Sequence, residues 1–237
     1  MHCLTDVTPT IASILNLSLS KRDGVPIPEI IQEIDKCSKL ILVIADGLGL
    51  SVYEKYIDYF NFGGIVLECK SVCKHTSPAI ATILTGIHPK NHSMFEAQDT
   101  YKSKGLSIIE LASMRGIKSS IIMAKKGASS FQGNIDLVVE MEEDEAIRYD
   151  KHVRDALVKA AQLTTLIVVH FRILDRFYHS KGNTEKDVDI LSEHLKDIML
   201  SLKNTGILIC GDHAPHNEEI NVVPLIALRT KPNLTFT

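Results

Sequence analysis

Three short apolar runs, none interrupted by a polar residue, limit what this chain can fold into. They cover residues 40–45, 166–169 and 207–210. A strand with one wet face alternates polar and apolar residues, whereas an unbroken apolar run of this length predicts a strand buried on both faces. Such strands form parallel sheets that helices cover on each side. The sequence therefore predicts an α/β fold with a mostly parallel central sheet and helices on both faces.

Helical and strand patterns alternate along the rest of the 237-residue chain. Further strands are predicted at 64–67, 118–123, 135–141 and 222–228. Helices are predicted at 8–17, 29–34, 78–84, 106–114 and 143–163, and from 184 to a stop at Gly206. Because no repeat, low-complexity tract or obvious linker divides these elements, residues 1–237 are predicted to form a single domain.

The composition argues against nucleic-acid and membrane partners. The formal net charge is −3 and the isoelectric point is about 6.4, so no basic surface is indicated. No apolar stretch approaches the roughly 18 residues that a membrane-spanning helix needs, and the N-terminus lacks the pattern of a signal peptide. The five cysteines are an odd number, and Cys69 and Cys73 have no second pair nearby. This usage disfavours a structural zinc site and favours a reducing, cytoplasmic location.

Each apolar run leads to an aspartate at or soon after its C-terminal end. Asp46 follows the first run, Asp175 with His179 follows the second, and Asp212 with His213 follows the third. Ligands of parallel sheets bind beyond the carboxyl ends of the strands, so these side chains are expected to converge there. Carboxylates mixed with imidazoles are typical of a metal site.

A second segment, residues 75–89, predicts a nucleophile. Pro78 suits the first turn of a helix and Gly86 suits its end, so Thr76 lies at a helix N-terminus. Free backbone N–H groups and the positive end of the helix dipole favour a bound phosphate and a developing alkoxide there. A threonine hydroxyl is a weak nucleophile unless a base or a metal activates it, and the metal-type residues would supply that activation.

The motif Thr-x-Pro at 76–78, followed by Thr-Gly-x-x-Pro at 85–89, resembles the nucleophile segment of the alkaline phosphatase superfamily. The likeness is greatest to the type I phosphodiesterase/nucleotide pyrophosphatase branch. The resemblance implies that Thr76 is the catalytic nucleophile, and it implies six metal ligands in two sets. One set is Asp46, Asp212 and His213. The other is Asp175, His179 and a later histidine, a role that falls to His216 as the only histidine downstream of His213.

The resemblance further implies a two-metal hydrolase of phosphate esters or phosphoanhydrides that forms a covalent phospho-threonine. Zn²⁺ suits the ligands best, and Mn or Fe would also fit. The expected partner is a small phosphate-containing substrate. Two alternatives remain open, a phosphomonoesterase and an inactive metal-binding module. Ala97, which stands where family diesterases carry a phosphate-binding Asn, favours the inactive module.

The nucleophile segment also separates this chain from other branches. Sulfatases of the superfamily carry Cys or Ser at the nucleophile position and Arg four residues later, where this chain has Thr76 and Ile80. Taken singly, each motif has a simpler explanation as a turn, a helix start or a solvated helix face. Only their combination, in family order, indicates a site. The remaining histidines singled out, His75, His88, His92, His170 and His194, are interpreted as structural or surface residues, with His75 close enough to the nucleophile to touch substrate.

The N-terminal segment, residues 1–36, resembles a segment that the superfamily carries near its C-terminal end. There it follows a strand similar to residues 222–228. We therefore predict a circular permutation, in which the helix from Pro9 to Leu17 packs next to that strand and Met1 and Thr237 lie close together.

Overall fold

A central sheet organises the molecule. The structure, a computed structural model, describes residues 1–96, 104–142, 144–175 and 184–230. In that part of the chain eight strands form one sheet in the order β1-β3-β8-β7-β2-β6-β4-β5. The strands are β1 His2–Cys3, β2 Lys39–Ala45, β3 Ile65–Lys70, β4 Ser119–Ala124, β5 Leu137–Met141, β6 Leu166–Phe171, β7 Thr205–Gly211 and β8 Val222–Arg229.

The sheet is mostly parallel, as the apolar runs predict. β8 runs antiparallel to both its neighbours, β3 and β7, while the other neighbouring pairs are parallel. β6 and β7 are buried along their whole length, and β2 is buried after its first residue. These three strands lie next to one another near the middle of the sheet, where both faces are covered.

Helices cover both faces and create two hydrophobic cores. Side chains of α1, α2, α4 and α6 pack on one face, and those of α3, α8 and α9 pack on the other. The α/β fold with helices on both faces is confirmed. No helix in the described ranges is long and apolar enough to cross a membrane. The helices are α1 Val7–Ile14, α2 Pro28–Ile34, α3 Leu50–Lys55, α4 Thr76–Thr85, α5 Pro89–His92, α6 Ile108–Met114, α7 Lys125–Ala128, α8 Ala146–Ala160 and α9 Thr184–Ser201.

Gly86 and Gly206 were both predicted to end helices, and the structure confirms this for Gly86 alone. Gly86 follows α4 in the left-handed region with φ 68°, so it ends that helix as expected. Gly206 lies inside β7, and the helix predicted to reach it ends at Ser201. A Cβ on Gly206 would lie 2.0 Å from Cγ2 of Ile34. The absence of a side chain therefore serves the close approach of α2 to the sheet.

The N-terminal segment is an integral part of the sheet and of one core. β1 pairs in parallel with the end of β3, at Cys69 and Lys70. α1 packs against α2 and α4, and α2 packs against β8. The prediction placed α1 directly beside β8. In the structure α2 packs on β8, and α1 belongs to the same core as that strand. Thr237, one of the two predicted neighbouring termini, lies outside the described residues.

Candidate active site

The carboxyl ends of β2 and β7 bring two predicted ligands to one edge of the sheet. Ala45, the last residue of β2, is in register with Gly211 at the end of β7. Asp46 and Asp212 follow these two residues directly. The Asp46 backbone N–H also donates to the carbonyl oxygen of Phe171, at the end of β6 (2.9 Å). The predicted convergence at this edge is thus present for both aspartates.

Asp46, Asp212 and His213 form a compact buried cluster. His213 Nε2 lies 3.3 Å from Asp46 Oδ1 and 3.5 Å from Asp212 Oδ2. The Asp46 side chain is 5% exposed and the other two are fully buried. Their candidate ligand atoms all lie within 4.8 Å of one another. This is a suitable arrangement for three ligands of one cation.

The two oxygens of the Asp212 carboxylate differ in whether they accept hydrogen bonds. Asp212 Oδ1 accepts hydrogen bonds from the backbone N–H groups of Gly47 (3.0 Å) and His213 (2.9 Å). Asp212 Oδ2 is buried and has no hydrogen-bond partner among the residues described. A buried carboxylate oxygen without a donor is costly, and a bound cation would satisfy it.

The ring of His213 is oriented for metal binding. Its Nδ1 lies 2.9 Å from the carbonyl oxygen of Ala214. A carbonyl only accepts, so Nδ1 carries a proton, and in the neutral ring the lone pair is on Nε2, facing the two aspartates. Metal-binding histidines are commonly held in this way by a second partner.

The pKa values in the cluster reflect two neighbouring buried carboxylates. Burial raises the pKa of Asp46, but hydrogen bonds to His170 and His213 outweigh it and hold the pKa well below its usual range. Burial, followed by the charge of Asp46, raises the pKa of Asp212 to about 7. Burial lowers the pKa of His213, yet Asp46 and Asp212 outweigh it and raise that pKa to about 10. The cluster thus favours a positive charge between its carboxylates.

A second, more open pair lies beside this cluster. Asp175 Oδ1 is 3.7 Å from His216 Nε2, with side-chain exposures of 19% and 39%. The rings of His216 and His213 have centroids 4.8 Å apart. Asp175, His213 and His216 could therefore also hold an ion. His179, the remaining predicted ligand, lies outside the described ranges, as does Ala97.

Thr76 lies next to the buried cluster. It is the first residue of α4, and its Oγ1 lies 3.3 Å from Asp46 Oδ1, to which it donates. The same oxygen is 3.4 Å from His213 Nε2. The predicted nucleophile, the helix N-terminus and the predicted ligands of one metal thus meet at one point.

His170 belongs to the site although the sequence interpretation left it as a structural or surface residue. Its side chain is 5% exposed and its Nε2 lies 3.4 Å from Asp46 Oδ2. It occupies the position before last in β6, level with Ile44 of β2. A histidine that interrupts an apolar run near the carboxyl end of a strand was the signal available for it. His92, which contacts Thr82 Oγ1 at 3.0 Å, is a buried structural residue as expected.

Asp150 is a second residue that the sequence interpretation missed. It lies in α8, is fully buried, and accepts hydrogen bonds from the backbone N–H groups of Arg172 (2.8 Å) and Ile173 (3.0 Å). Burial raises its pKa to about 7. These two bonds anchor the backbone between β6 and Asp175. Nothing in the amphipathic pattern of α8 distinguishes Asp150 from a solvated acid.

Sequence comparison finds no matching protein family and no matching curated protein. Solved structures with a similar fold include phosphonoacetate hydrolase from Sinorhizobium meliloti 1021, with 13% identity over 75% of this chain and a TM-score of 0.60. The chain spans 57% of the length of that protein.

Two further similar structures come from other hydrolases. An alkaline phosphatase from the Antarctic bacterium TAB5 has 12% identity over 81% of this chain and 91% of its own, with a TM-score of 0.56. A putative sulfatase from Bacteroides thetaiotaomicron VPI-5482 has 12% identity over 85% of this chain and 66% of its own, with a TM-score of 0.62. The chain therefore has the fold of the alkaline phosphatase superfamily, which its motifs had indicated.

Proposed function

We propose that this chain is a two-metal hydrolase that cleaves phosphate esters or phosphoanhydrides, as phosphodiesterases and nucleotide pyrophosphatases do. One observation carries the proposal. The hydroxyl of Thr76, at the N-terminus of α4, lies 3.3 Å from a carboxylate oxygen of Asp46 and 3.4 Å from Nε2 of His213. The fold shared with a phosphatase, a phosphonoacetate hydrolase and a sulfatase supports a hydrolytic role.

The residues present fit a pair of divalent ions. Asp46, Asp212 and His213 would hold one ion, and Asp175 and His216, together with His179, would hold the other. Asp212 Oδ2 is buried and accepts no hydrogen bond from the described residues, which supports the first assignment. The mixture of carboxylate and imidazole donors suits Zn²⁺, and it also suits Mn²⁺ or Fe²⁺. Ions bound there would supply positive charge that favours the alkoxide form of Thr76 and offsets charge on the phosphate oxygens.

The reaction itself takes place on Thr76. Its Oγ1 attacks phosphorus, forms the phospho-threonine and releases the alcohol or phosphate leaving group. Water then cleaves the new P–O bond, which regenerates the hydroxyl and releases the phosphate product. The first turn of α4 stabilises the phosphate through its free N–H groups and its dipole. Before a cation binds, hydrogen bonds from His170 and His213 lower the pKa of Asp46, so its carboxylate is already ionised for the role of ligand.

A substrate screen tests this function. The metal-loaded protein is assayed with 4-nitrophenyl phosphate and with bis(4-nitrophenyl) phosphate, and release of 4-nitrophenolate is measured. We expect hydrolysis of at least one ester, and the diester to be preferred. Preference for the monoester would identify a phosphomonoesterase. Protein that contains two metal ions and hydrolyses neither ester would identify an inactive metal-binding module and contradict the proposal.

A further inference from the structure

A cavity of about 160 Å³ lies along one face of α4, the helix that begins at Thr76. The α4 residues that line it have the spacing of a single helix face. Ser77, which directly follows Thr76, is the lining residue nearest to the nucleophile along the helix. The residues of α4 in the cavity wall are Ser77, Ile80, Ala81, Leu84 and Thr85.

The wall of the cavity is mainly apolar. Opposite α4 lie Met94, Met123 and Phe131. Both methionines are at most 5% exposed, and methionine side chains adapt readily to the shape of a bound group. A benzene ring fits an apolar protein cavity of roughly 150 Å³. The space therefore matches one six-membered ring or a short alkyl chain.

The charge at the cavity selects against a second phosphate. Glu110 is the only charged residue among the lining residues described. Its Oε2 accepts from the N–H (2.9 Å) and hydroxyl (2.7 Å) of Ser107, and its Oε1 accepts from Asn134 Nδ2 (3.3 Å). The lining residues that the structure describes include no lysine or arginine to stabilise an anion. A neutral apolar group is favoured over a polyphosphate or a carboxylate.

We infer that this cavity binds the organic group of the substrate, so the substrates are phosphate esters of an apolar alcohol or phenol. The inference rests on the proposed function, because it takes phosphorus to be attacked at Thr76. An ester oxygen bonded to that phosphorus joins the organic group to it directly. The wall of the cavity includes Ser77, the residue that follows Thr76 in α4.

A change of substrate preference tests the inference. Ala81→Leu extends a side chain into the cavity, and kcat/KM is measured for the diesters benzyl methyl phosphate and dimethyl phosphate. We expect the benzyl-to-methyl ratio to fall by about tenfold or more, since a pocket discriminates by such factors when it loses space for a few carbon atoms. The intrinsic reactivity of each ester is the same with the wild type and with the variant, so it cancels when their benzyl-to-methyl ratios are compared. Ala156→Leu, on α8 at the other face of the sheet, is the matched control and should leave the ratio unchanged. An unchanged ratio in Ala81→Leu overturns the inference.

A binding measurement separates this inference from the proposed function. The protein is labelled with ¹³C-methyl methionine and titrated with benzyl alcohol. The signals of Met94 and Met123 should shift saturably, whereas those of Met1, Met114, Met141 and Met199 should not, and Ala81→Leu should weaken the shifts. Absence of these shifts overturns the inference even if esters are hydrolysed. Shifts without hydrolysis of any ester support the cavity as an apolar-ligand site and contradict the proposed function. Ala81→Val replaces Ala81→Leu if the leucine variant does not fold.

Discussion

At the scale of single residues, His213 is the side chain on which the two candidate metal groups meet. It belongs to the group with Asp46 and Asp212 and also to the group with Asp175 and His216. One imidazole nitrogen offers one lone pair and binds one ion. The contacts of Nε2 with the two buried carboxylates, at 3.3 and 3.5 Å, favour the first group. The second ion would then depend on Asp175, His216 and the predicted ligand His179.

Replacing Thr76 should abolish turnover without unfolding the protein. Thr76→Ala removes the attacking oxygen, and we expect kcat to fall by a factor of about 10³ or more. Thr76→Ser keeps a hydroxyl at the same place and should retain part of the activity. Metal content and circular dichroism should match the wild type in both variants, because Thr76 is only half-buried. If Thr76→Ala keeps most of the wild-type rate, direct attack by water replaces the phospho-threonine route.

The metal content should be two ions per chain after loading. Asp46→Asn removes a charged ligand from the buried cluster, so elemental analysis of this variant should give about one ion. Asp35→Asn is the matched control, because the Asp35 side chain is exposed and its partner in the described part of the chain is Lys36. A wild-type content of zero or one ion that Asp46→Asn leaves unchanged would rule out the two-metal assignment.

At the scale of elements, the site depends on strands in register and on one helix that holds a loop. β2, β6 and β7 end level with one another, which brings Asp46, His170 and Asp212 together. α8 then fixes the backbone that follows β6, through the two hydrogen bonds to Asp150. The positions of the site residues are thus set by strands and a helix that pack mainly against residues outside the site.

Asp150 is predicted to be a positioning residue for the second metal ligand set. Asp150→Ala removes the acceptor of the N–H groups of Arg172 and Ile173. For a buried N–H such as that of Ile173, this loss costs about 1–3 kcal/mol. We expect a lower melting temperature and, in the folded fraction, weaker binding of one of the two ions in a metal titration. Asp155→Ala, on the same helix and partly exposed, should change neither quantity by much. Unchanged metal affinity in folded Asp150→Ala would show that Asp150 only stabilises the fold.

At the scale of the whole molecule, residues 1–36 contribute to the same sheet and to the same core as later parts of the described chain. The Thr8 hydroxyl donates to the Ile83 carbonyl of α4 (2.8 Å), and the Asp23 carboxylate accepts from the His88 N–H (2.8 Å). The first contact joins the N-terminal segment to α4, the helix that carries Thr76, and the second joins it to the start of α5. Both contacts can form whichever of the two segments comes first in the sequence. A circular permutation requires contacts of this kind.

A rearranged chain tests the permutation. Thr237 is joined to Met1 by a short Gly/Ser linker, and the chain is reopened between Lys36 and Cys37, ahead of β2. β8 ends beside Thr205, at the edge of the sheet opposite the site, and the linked segment must return to β1. Seven extended residues reach roughly 25 Å, which is close to the length of an eight-residue strand. We expect cooperative thermal unfolding and wild-type metal content.

Reopening the same joined chain between Ile207 and Leu208 is the control for this rearrangement, because it interrupts a fully buried strand and should prevent folding. If both rearranged chains fail to fold, residues 1–36 do not occupy the place of the superfamily's C-terminal segment. The similarity of the two segments would then be a coincidence of sequence.

The sequence by itself determined the elements and much of the proposed site, because those signals are local. An unbroken apolar run specifies a buried strand, and a proline and a glycine ten residues apart or less bound a helix such as α4. Asp46, Asp212 and Thr76 were identified because each stands next to such a signal. The two-residue strand β1 and the short helix α3 were not predicted, because elements so short have no periodicity to detect.

Only the tertiary structure decided which distant residues touch. His170 became a site residue through contact with Asp46, and Asp150 through two backbone N–H groups that follow β6. Gly206 serves close packing against Ile34, although the local pattern of a helix end would use the same residue. The tertiary structure also decided that α2 packs on β8. Local patterns report which face of an element is apolar, whereas the free energy of packing, summed over the whole molecule, selects the partner that covers it.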